Sequence, residues 1–254
     1  MMKYQLLAIL ATVAFSQIPT GAAEKEVVRE VRFFPVGELP PFRQDVRDGV
    51  RYELEPPAGT IPPREVMLGF DGDQSEAVLL RLGQISEPLK VPNGSGPVLL
   101  KKREAAAEAE PWLRLTRPEA GDFLVILWRD AKGGTWEKVN SLVLPDDPVS
   151  APAGSVRIIN ISPYPVRMVI GAEKILLDAG KSFKRTVPSG IEQPFQILLA
   201  DTSGNLKTLH SSVITQNAGE RSLVLVFRAD GESPRRPVKV SVQREPVPVV
   251  PPKG

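Results

Sequence analysis

The segment VRIINISPYPVRMVI, residues 156–170, is the clearest strand–turn–strand pattern in this chain. Apolar residues predominate at 156–161 and 166–170, and the two prolines between them do not fit a helix interior. Two apolar runs separated by a proline-bearing turn predict a pair of β-strands. Similar strand-like runs recur along the chain at roughly 8–12-residue spacing, which is typical of a β-sandwich or barrel.

Composition agrees with an all-β protein. The chain has 254 residues, 26 of them proline, with 42% hydrophobic and 24% charged residues. This hydrophobic content is enough to bury a core, and the length allows one large domain or two small ones. We therefore predict an all-β fold of two tandem immunoglobulin-like β-sandwich domains.

Two sequence signatures occur twice in the same order, which indicates an internal duplication. VRFF at 31–34 matches VRII at 156–159, and AGD followed by LVILWR at 124–129 matches AGE followed by LVLVFR at 223–228. The two signatures are about 93 residues apart in the first copy and 67 in the second. We assign the difference to an insertion at 87–111, which includes the helix-like segment KKREAAAEAE at 101–110.

The duplication brings four arginines into two matched pairs, Arg32 with Arg157 and Arg129 with Arg228. One hypothesis is a pair of binding residues. We favour the other, in which these arginines flank strands and lay their aliphatic stems over apolar surface.

The predicted organisation has four parts. Residues 1–23 form a signal peptide, 24–147 the first sandwich domain, 148–245 the second, and 246–254 a proline-rich tail. Lys3, the apolar run at 6–15 and the small residues before Glu24 are the features of a secretory signal. We expect an exported protein, periplasmic or extracellular, with no membrane-spanning segment after cleavage.

The opening segment of the second domain resembles the start of the secreted DUF4397-type domains. These begin with a strand of the form V-R-x-x-N-x-S-P, and the matching residues here are Val156, Arg157, Asn160, Ser162 and Pro163. The resemblance covers at most residues 155–245, and it implies an immunoglobulin-like sandwich of the bacterial cell surface or periplasm. It brings no catalytic residues with it.

Several function classes lack their usual residues. The chain has no cysteine and a single histidine, His210, so the common zinc and copper ligand sets are missing. Asp71, Asp73 and Ser75 begin like a calcium loop, but Glu76 and Leu82 stand where such a loop needs Gly and Glu. The net charge of +2 gives no basic field for nucleic acid. We predict no cofactor, no metal and no catalytic site.

Aromatic residues are the remaining candidates for ligand contact. Trp128 lies in the most apolar strand and is expected in the core, whereas Trp112 and Trp136 are the candidates for stacking on a ligand. The leading hypothesis is a non-catalytic binding or scaffolding protein of the bacterial envelope, acting through strand addition at an open sheet edge. A carbohydrate- or polymer-binding module is the alternative, and a hydrolase is a third. An envelope protein or a polysaccharide would be the partner.

Overall fold

The computed structural model describes residues 29–70, 75–106, 108–130, 134–230 and 234–247. The regular secondary structure of these described residues consists of β-strands alone. This confirms the predicted all-β class. The strands are β1 Arg29–Val36, β2 Gln44–Arg47, β3 Val50–Glu53, β4 Glu65–Gly69, β5 Ser75–Leu79, β6 Leu89–Val91, β7 Gly96–Lys102, β8 Leu113–Arg117, β9 Phe123–Arg129, β10 Val139–Pro145, β11 Ser155–Asn160, β12 Val166–Ile170, β13 Glu173–Leu177, β14 Ser182–Thr186, β15 Glu192–Ala200, β16 Leu206–Thr215, β17 Glu220–Arg228 and β18 Val238–Pro246.

Three predictions concern segments that lie wholly or partly outside the described residues. The signal peptide at 1–23 and the calcium-like turn at 71–74 lie outside the described residues. So does the tail from residue 248 onwards, although Pro246, predicted as tail, ends β18 instead. Among the described residues no helix is long and apolar enough to cross a membrane.

The strands form two units with the same order. The first unit consists of the sheets β10-β9-β1-β6 and β5-β4-β7-β8, and the second of β18-β17-β11-β14 and β13-β12-β15-β16. In each unit the opening strand lies parallel to the penultimate one, β1 to β9 and β11 to β17. The two tandem sandwiches are therefore built on one eight-strand plan.

Strand register shows which residues are equivalent. Val31 lies opposite Phe123 in the first unit, and Val156 lies opposite Ser222 in the second. The repeated signatures therefore occupy equivalent strands. The equivalent pairs include Arg32 and Arg157, Phe34 and Ile159, Leu124 and Leu223, and Arg129 and Arg228.

The predicted insertion at 87–111 is wrong. That segment carries β6 and β7, which have counterparts in β14 and β15 of the second unit, and none of its described residues is helical. The extra chain lies instead between β1 and β4, where residues 37–64 connect the strands. The equivalent connection between β11 and β12 needs only residues 161–165. The inserted residues carry β2 and β3, a two-stranded hairpin outside both sandwiches.

Each unit has its own apolar core between its two sheets. A third apolar cluster joins the units and is contributed by the outward faces of β1, β9, β11 and β17. Its buried members are Phe34, Val36, Leu124, Ile126, Ile159, Ile161, Leu225 and Phe227, and Trp128 packs partly buried against them. These strands are covered on both faces, which explains their nearly continuous apolar sequences.

Candidate functional site

The two tryptophans proposed for ligand stacking do not form a surface. Trp136 is only 2% exposed and belongs to the core of the first unit, so the prediction that it lies at the surface is wrong. Trp112 is partly buried against the same core, and its Nε1 donates a hydrogen bond of 2.7 Å to the Trp136 carbonyl. The backbone N–H of Trp136 donates to the carbonyl of Gly59 at 2.8 Å. The pair therefore anchors the base of residues 37–64 to the first sandwich.

His210 has a structural environment. Its Nε2 lies 2.9 Å from the Ser212 hydroxyl, and its ring packs edge-on against Phe195. Burial, together with the charge of Arg236, lowers its pKa, so the ring is neutral at neutral pH. The described residues contain no group of three or more histidine, aspartate or glutamate side chains arranged to hold a metal ion.

A cleft of about 550 Å³ opens where the two units meet. Its wall holds a network of two arginines and two carboxylates. Arg32 donates to Asp146 at 2.5 Å and to Glu245 at 2.6 Å, and Arg221 contacts the same carboxylates at 2.9 and 2.7 Å. Asp146 ends the first unit and Glu245 lies in the last strand of the second, so each arginine bridges both units.

The two carboxylates differ in how readily they ionise. Burial raises the pKa of Asp146 above its usual range, because loss of water outweighs the attraction of the two arginines. Burial also opposes ionisation of Glu245, but the hydrogen bonds and charges of Arg32 and Arg221 outweigh it and hold the pKa of that carboxyl below its usual range. The same partners keep Arg32 charged despite its burial.

The repeat relationship explains this network. Pro145 lies opposite Phe123 and Arg244 lies opposite Ser222, so the residues that follow, Asp146 and Glu245, are equivalent positions of the two copies. The carboxylate at each of these two positions contacts the guanidinium groups of both Arg32 and Arg221, so the network links the two units.

The guanidinium groups of three of the matched arginines make contacts between the units or with the segment that joins them. The guanidinium of Arg32 reaches across to Glu245 of the second unit. Arg157 donates to the carbonyls of Pro145 and Ser150, in the segment that joins the units. Arg129 pairs with Asp230 of the second unit at 2.5 Å. These contacts of the guanidinium groups link the two units, and the predicted packing of the aliphatic stems over apolar surface stays a prediction.

Two buried arginines, at the start of β1 and the end of β8, also have a structural role. Arg29 is 2% exposed and donates to the carbonyls of Pro92 and Gly94, and Arg117 is 6% exposed and donates to the same Gly94 carbonyl. Burial and the neighbouring charge of Arg117 lower the pKa of Arg29. Together they hold the loop between β6 and β7.

The inserted segment, residues 37–64, is here called the arm. Its hairpin turns at Asp48 and Gly49, which have φ of 51° and 79°, as a two-residue turn of the type favoured between antiparallel strands requires. All four residues of β3 are exposed, as are three of the four in β2. The arm also holds a concentration of exposed large apolar side chains: Leu39 75%, Phe42 69%, Val46 58%, Val50 52%, Tyr52 49% and Ile61 37%.

The hairpin is the candidate functional site. β2 and β3 pair with each other in a two-stranded sheet, and no other described strand pairs with either of them. The alternating segment VRYEL at 50–54 indicates a strand, whereas Arg43–Gln44–Asp45 has no apolar alternation and gives no signal for β2. The signal that could have found the hairpin is the Asp48-Gly49 dipeptide between two runs of strand length.

Comparisons with known proteins give no family. No family model matches this chain, and no curated protein matches it. Among solved structures, the chain is similar to γ-CGTase from alkalophilic Bacillus clarkii at 11% identity and a TM-score of 0.21, over 80% of this chain and 28% of that one. A similarity this low carries no argument about fold or function. The resemblance to DUF4397-type domains stays a prediction.

Proposed function

We propose that this chain is an exported, non-catalytic protein that binds or scaffolds in the bacterial cell envelope, with the hairpin of the arm as its docking element. The observation that carries the proposal is a contrast between two parts of the chain: the two sandwiches are packed against each other, whereas the hairpin is exposed and pairs with no other described strand. The apolar cluster between the units and the ion network of Arg32 and Arg221 hold the two sandwiches together. Both edges of the hairpin, in contrast, lack a described partner strand. An unpaired strand edge is a template for adding another strand.

Other features support the parts of this proposal. The signal-like sequence at 1–23 supports export. The fully paired carboxylates Asp146 and Glu245 support a non-catalytic role for the cleft. The carbohydrate-binding alternative loses its main support because the indole ring of Trp136 is buried.

A site-specific photo-cross-linker tests the docking role in cells that produce the protein. We place it at Tyr52 in β3 and, as a control, at Leu176 in β13, which is 59% exposed on the second unit. Adducts that form from Tyr52 but not from Leu176, and that fractionate with the envelope, support the proposal. A protein retained in the cytoplasm, or equal labelling from both positions, contradicts it.

A further inference from the structure

We infer that the free edge of β3 pairs with β3 of a second copy of this chain, antiparallel and centred on Tyr52, so that two molecules join through their arms. This inference rests on the proposed docking role of the hairpin and names its partner. The resulting sheet would have four strands in the order β2, β3, the partner's β3 and the partner's β2.

The backbone of β3 offers two residues for such pairing. Within the hairpin, Val50 lies opposite Arg47 and Tyr52 opposite Asp45, and the N–H of Leu54 donates to the carbonyl of Arg43 at 3.0 Å. In an antiparallel pair, residues alternate between bonding their partner and facing away from it. Because Val50, Tyr52 and Leu54 bond β2, the N–H and C=O groups of the residues between them, Arg51 and Glu53, point to the free edge.

The side chains of β3 are self-complementary about Tyr52. Pairing centred there places Arg51 opposite the partner's Glu53, and Glu53 opposite the partner's Arg51. These two pairs are also the ones whose backbone groups face the free edge, so each can exchange two backbone hydrogen bonds as well as join opposite charges. A two-fold axis through the Tyr52 pair makes both halves equivalent, as a symmetric dimer requires.

The apolar residues lie on the other face of the same strand. Val50, Tyr52 and Leu54 alternate with the charged pair, so their side chains share one face. In the proposed register Val50 lies opposite the partner's Leu54 on either side of the two tyrosines. Val50 and Tyr52 are 52% and 49% exposed in the single chain, and the pairing gives each an apolar neighbour across the new interface.

Charge excludes the neighbouring arrangements. A register centred on Arg51 or on Glu53 puts like charges directly opposite each other, which destabilises a strand pair. On the edge of β2, pairing centred on Asp45 places that carboxylate opposite its own copy. The same pairing brings Arg43 opposite the partner's Arg47. Charge therefore selects the register of pairing on β3.

Pairing with the β3 strand of a second copy would also stabilise the hairpin. An isolated two-stranded hairpin is marginally stable in water, whereas three or more strands with an apolar face are stable. Within one chain the described support of the hairpin tip is modest: an exposed Asp45–Arg47 ion pair and the Arg47 guanidinium 6.0 Å from the Tyr52 ring. Pairing with a second copy supplies the missing strands.

Sedimentation velocity and light scattering on the purified full-length chain test the inference. We expect a species of twice the 27.7 kDa of one chain that dissociates on dilution. Arg51→Glu and Glu53→Arg each place like charges opposite each other and should weaken dimerisation about tenfold or more. The double variant R51E/E53R restores opposite charges and should return the dissociation constant to within about threefold of the original.

Arg64→Glu is the matched control, because it makes the same change of charge at an exposed residue of the arm that lies outside the hairpin. It should leave the dimer intact, and at protein concentrations low enough to keep the chain monomeric all variants should show an unchanged urea midpoint. The inference is overturned if the unaltered chain is monomeric at about 100 μM, if the single charge reversals leave the dimer intact, or if the double variant does not recover it.

The outcomes for the two proposals are separable. A monomeric chain whose Tyr52 cross-linker captures a different envelope component overturns the dimer and keeps the docking role. A monomeric chain with no specific adduct at Tyr52 overturns both.

Discussion

The two units of this protein share eight strands and differ most between the first two. In the second unit, residues 161–165 join β11 to β12 directly, and Asn160 fixes the connection. Its Nδ2 donates to the carbonyls of Tyr164 at 2.7 Å and Leu177 at 3.0 Å, and its Oδ1 accepts from the Ser162 hydroxyl at 2.6 Å. In the first unit Pro35 stands at the position of Asn160, and the chain leaves the sandwich to form the arm.

This difference distinguishes the features shared by both units, here called the frame, from the arm, which only the first unit has. The features present in both copies, such as the parallel central strands and the paired ends at Asp146 and Glu245, hold the units together. The motif residues Asn160 and Ser162 form a buried turn network, so their role in this chain is structural. The arm is present in one copy only and is exposed, so a function added to the frame is expected there.

The largest expected effect on stability is the difference between removing a phenylalanine side chain from the frame and removing one from the arm. Phe34 is fully buried between the units, and Phe42 in the arm is 69% exposed. Phe34→Ala should lower the free energy of unfolding by about 3–5 kcal/mol, because it leaves a cavity in the shared cluster. Phe42→Ala should change it by less than about 0.5 kcal/mol. Urea unfolding measures both, and similar losses from the two variants would contradict the assignment of frame and arm.

Asn160 tests the turn that the first unit lacks. Asn160→Ala removes the donor of two buried carbonyls and should cost about 2–3 kcal/mol of unfolding free energy. Asn217→Ala is the control, since the exposed Asn217 donates only to the carboxylate of Glu220 and should cost less than about 0.5 kcal/mol. Thermal or urea unfolding compares them. Equal small losses would show that the buried network does not hold the connection.

Glu245 tests the paired ends of the two units. Glu245→Gln should cost about 1–2 kcal/mol at neutral pH, because a partly buried carboxylate between Arg32 and Arg221 is lost. The folded pKa of Glu245 is below its unfolded value, so its stabilisation is present above the unfolded pKa and disappears as pH falls through the folded one. The difference between variant and original chain should therefore shrink in acid.

Unfolding in urea at a series of pH values checks this dependence. Glu137→Gln serves as the surface control, since Glu137 is 65% exposed in its pair with Lys102 and should contribute about 0–1 kcal/mol. A Glu245→Gln cost that grows as pH falls would contradict the assigned direction.

The smallest expected effect is the removal of the hairpin tip. Replacing residues 44–53 with a short Gly-Ser linker should change the free energy of unfolding of the monomer by less than about 1 kcal/mol, because the removed residues are nearly all exposed. Urea unfolding at low protein concentration measures this. A large loss of stability would instead show that the hairpin supports the fold of the sandwiches.

Local pattern was enough to predict most strands and the duplication. Apolar runs such as 124–129 and 223–228 carry the repeat, and their burial on both faces makes that signal strong. The position of the insertion was not predictable from composition, because the Ala/Glu-rich segment resembles a helix while Lys101 and Lys102 end a strand. Ion pairs such as Arg32 with Glu245 join residues far apart in sequence, so only the folded chain brings them together.

The parallel pairing of β1 with β9 also sets when this protein can finish folding. Arg29 is synthesised about ninety residues before Phe123, and the outer face of their sheet must then await Ile159 and Leu225 of the second unit. Such long-range pairing makes folding slow and leaves apolar sheet surface uncovered in partly completed chains. Neither repeat buries its outer face alone, so the two should fold and unfold as one cooperative body.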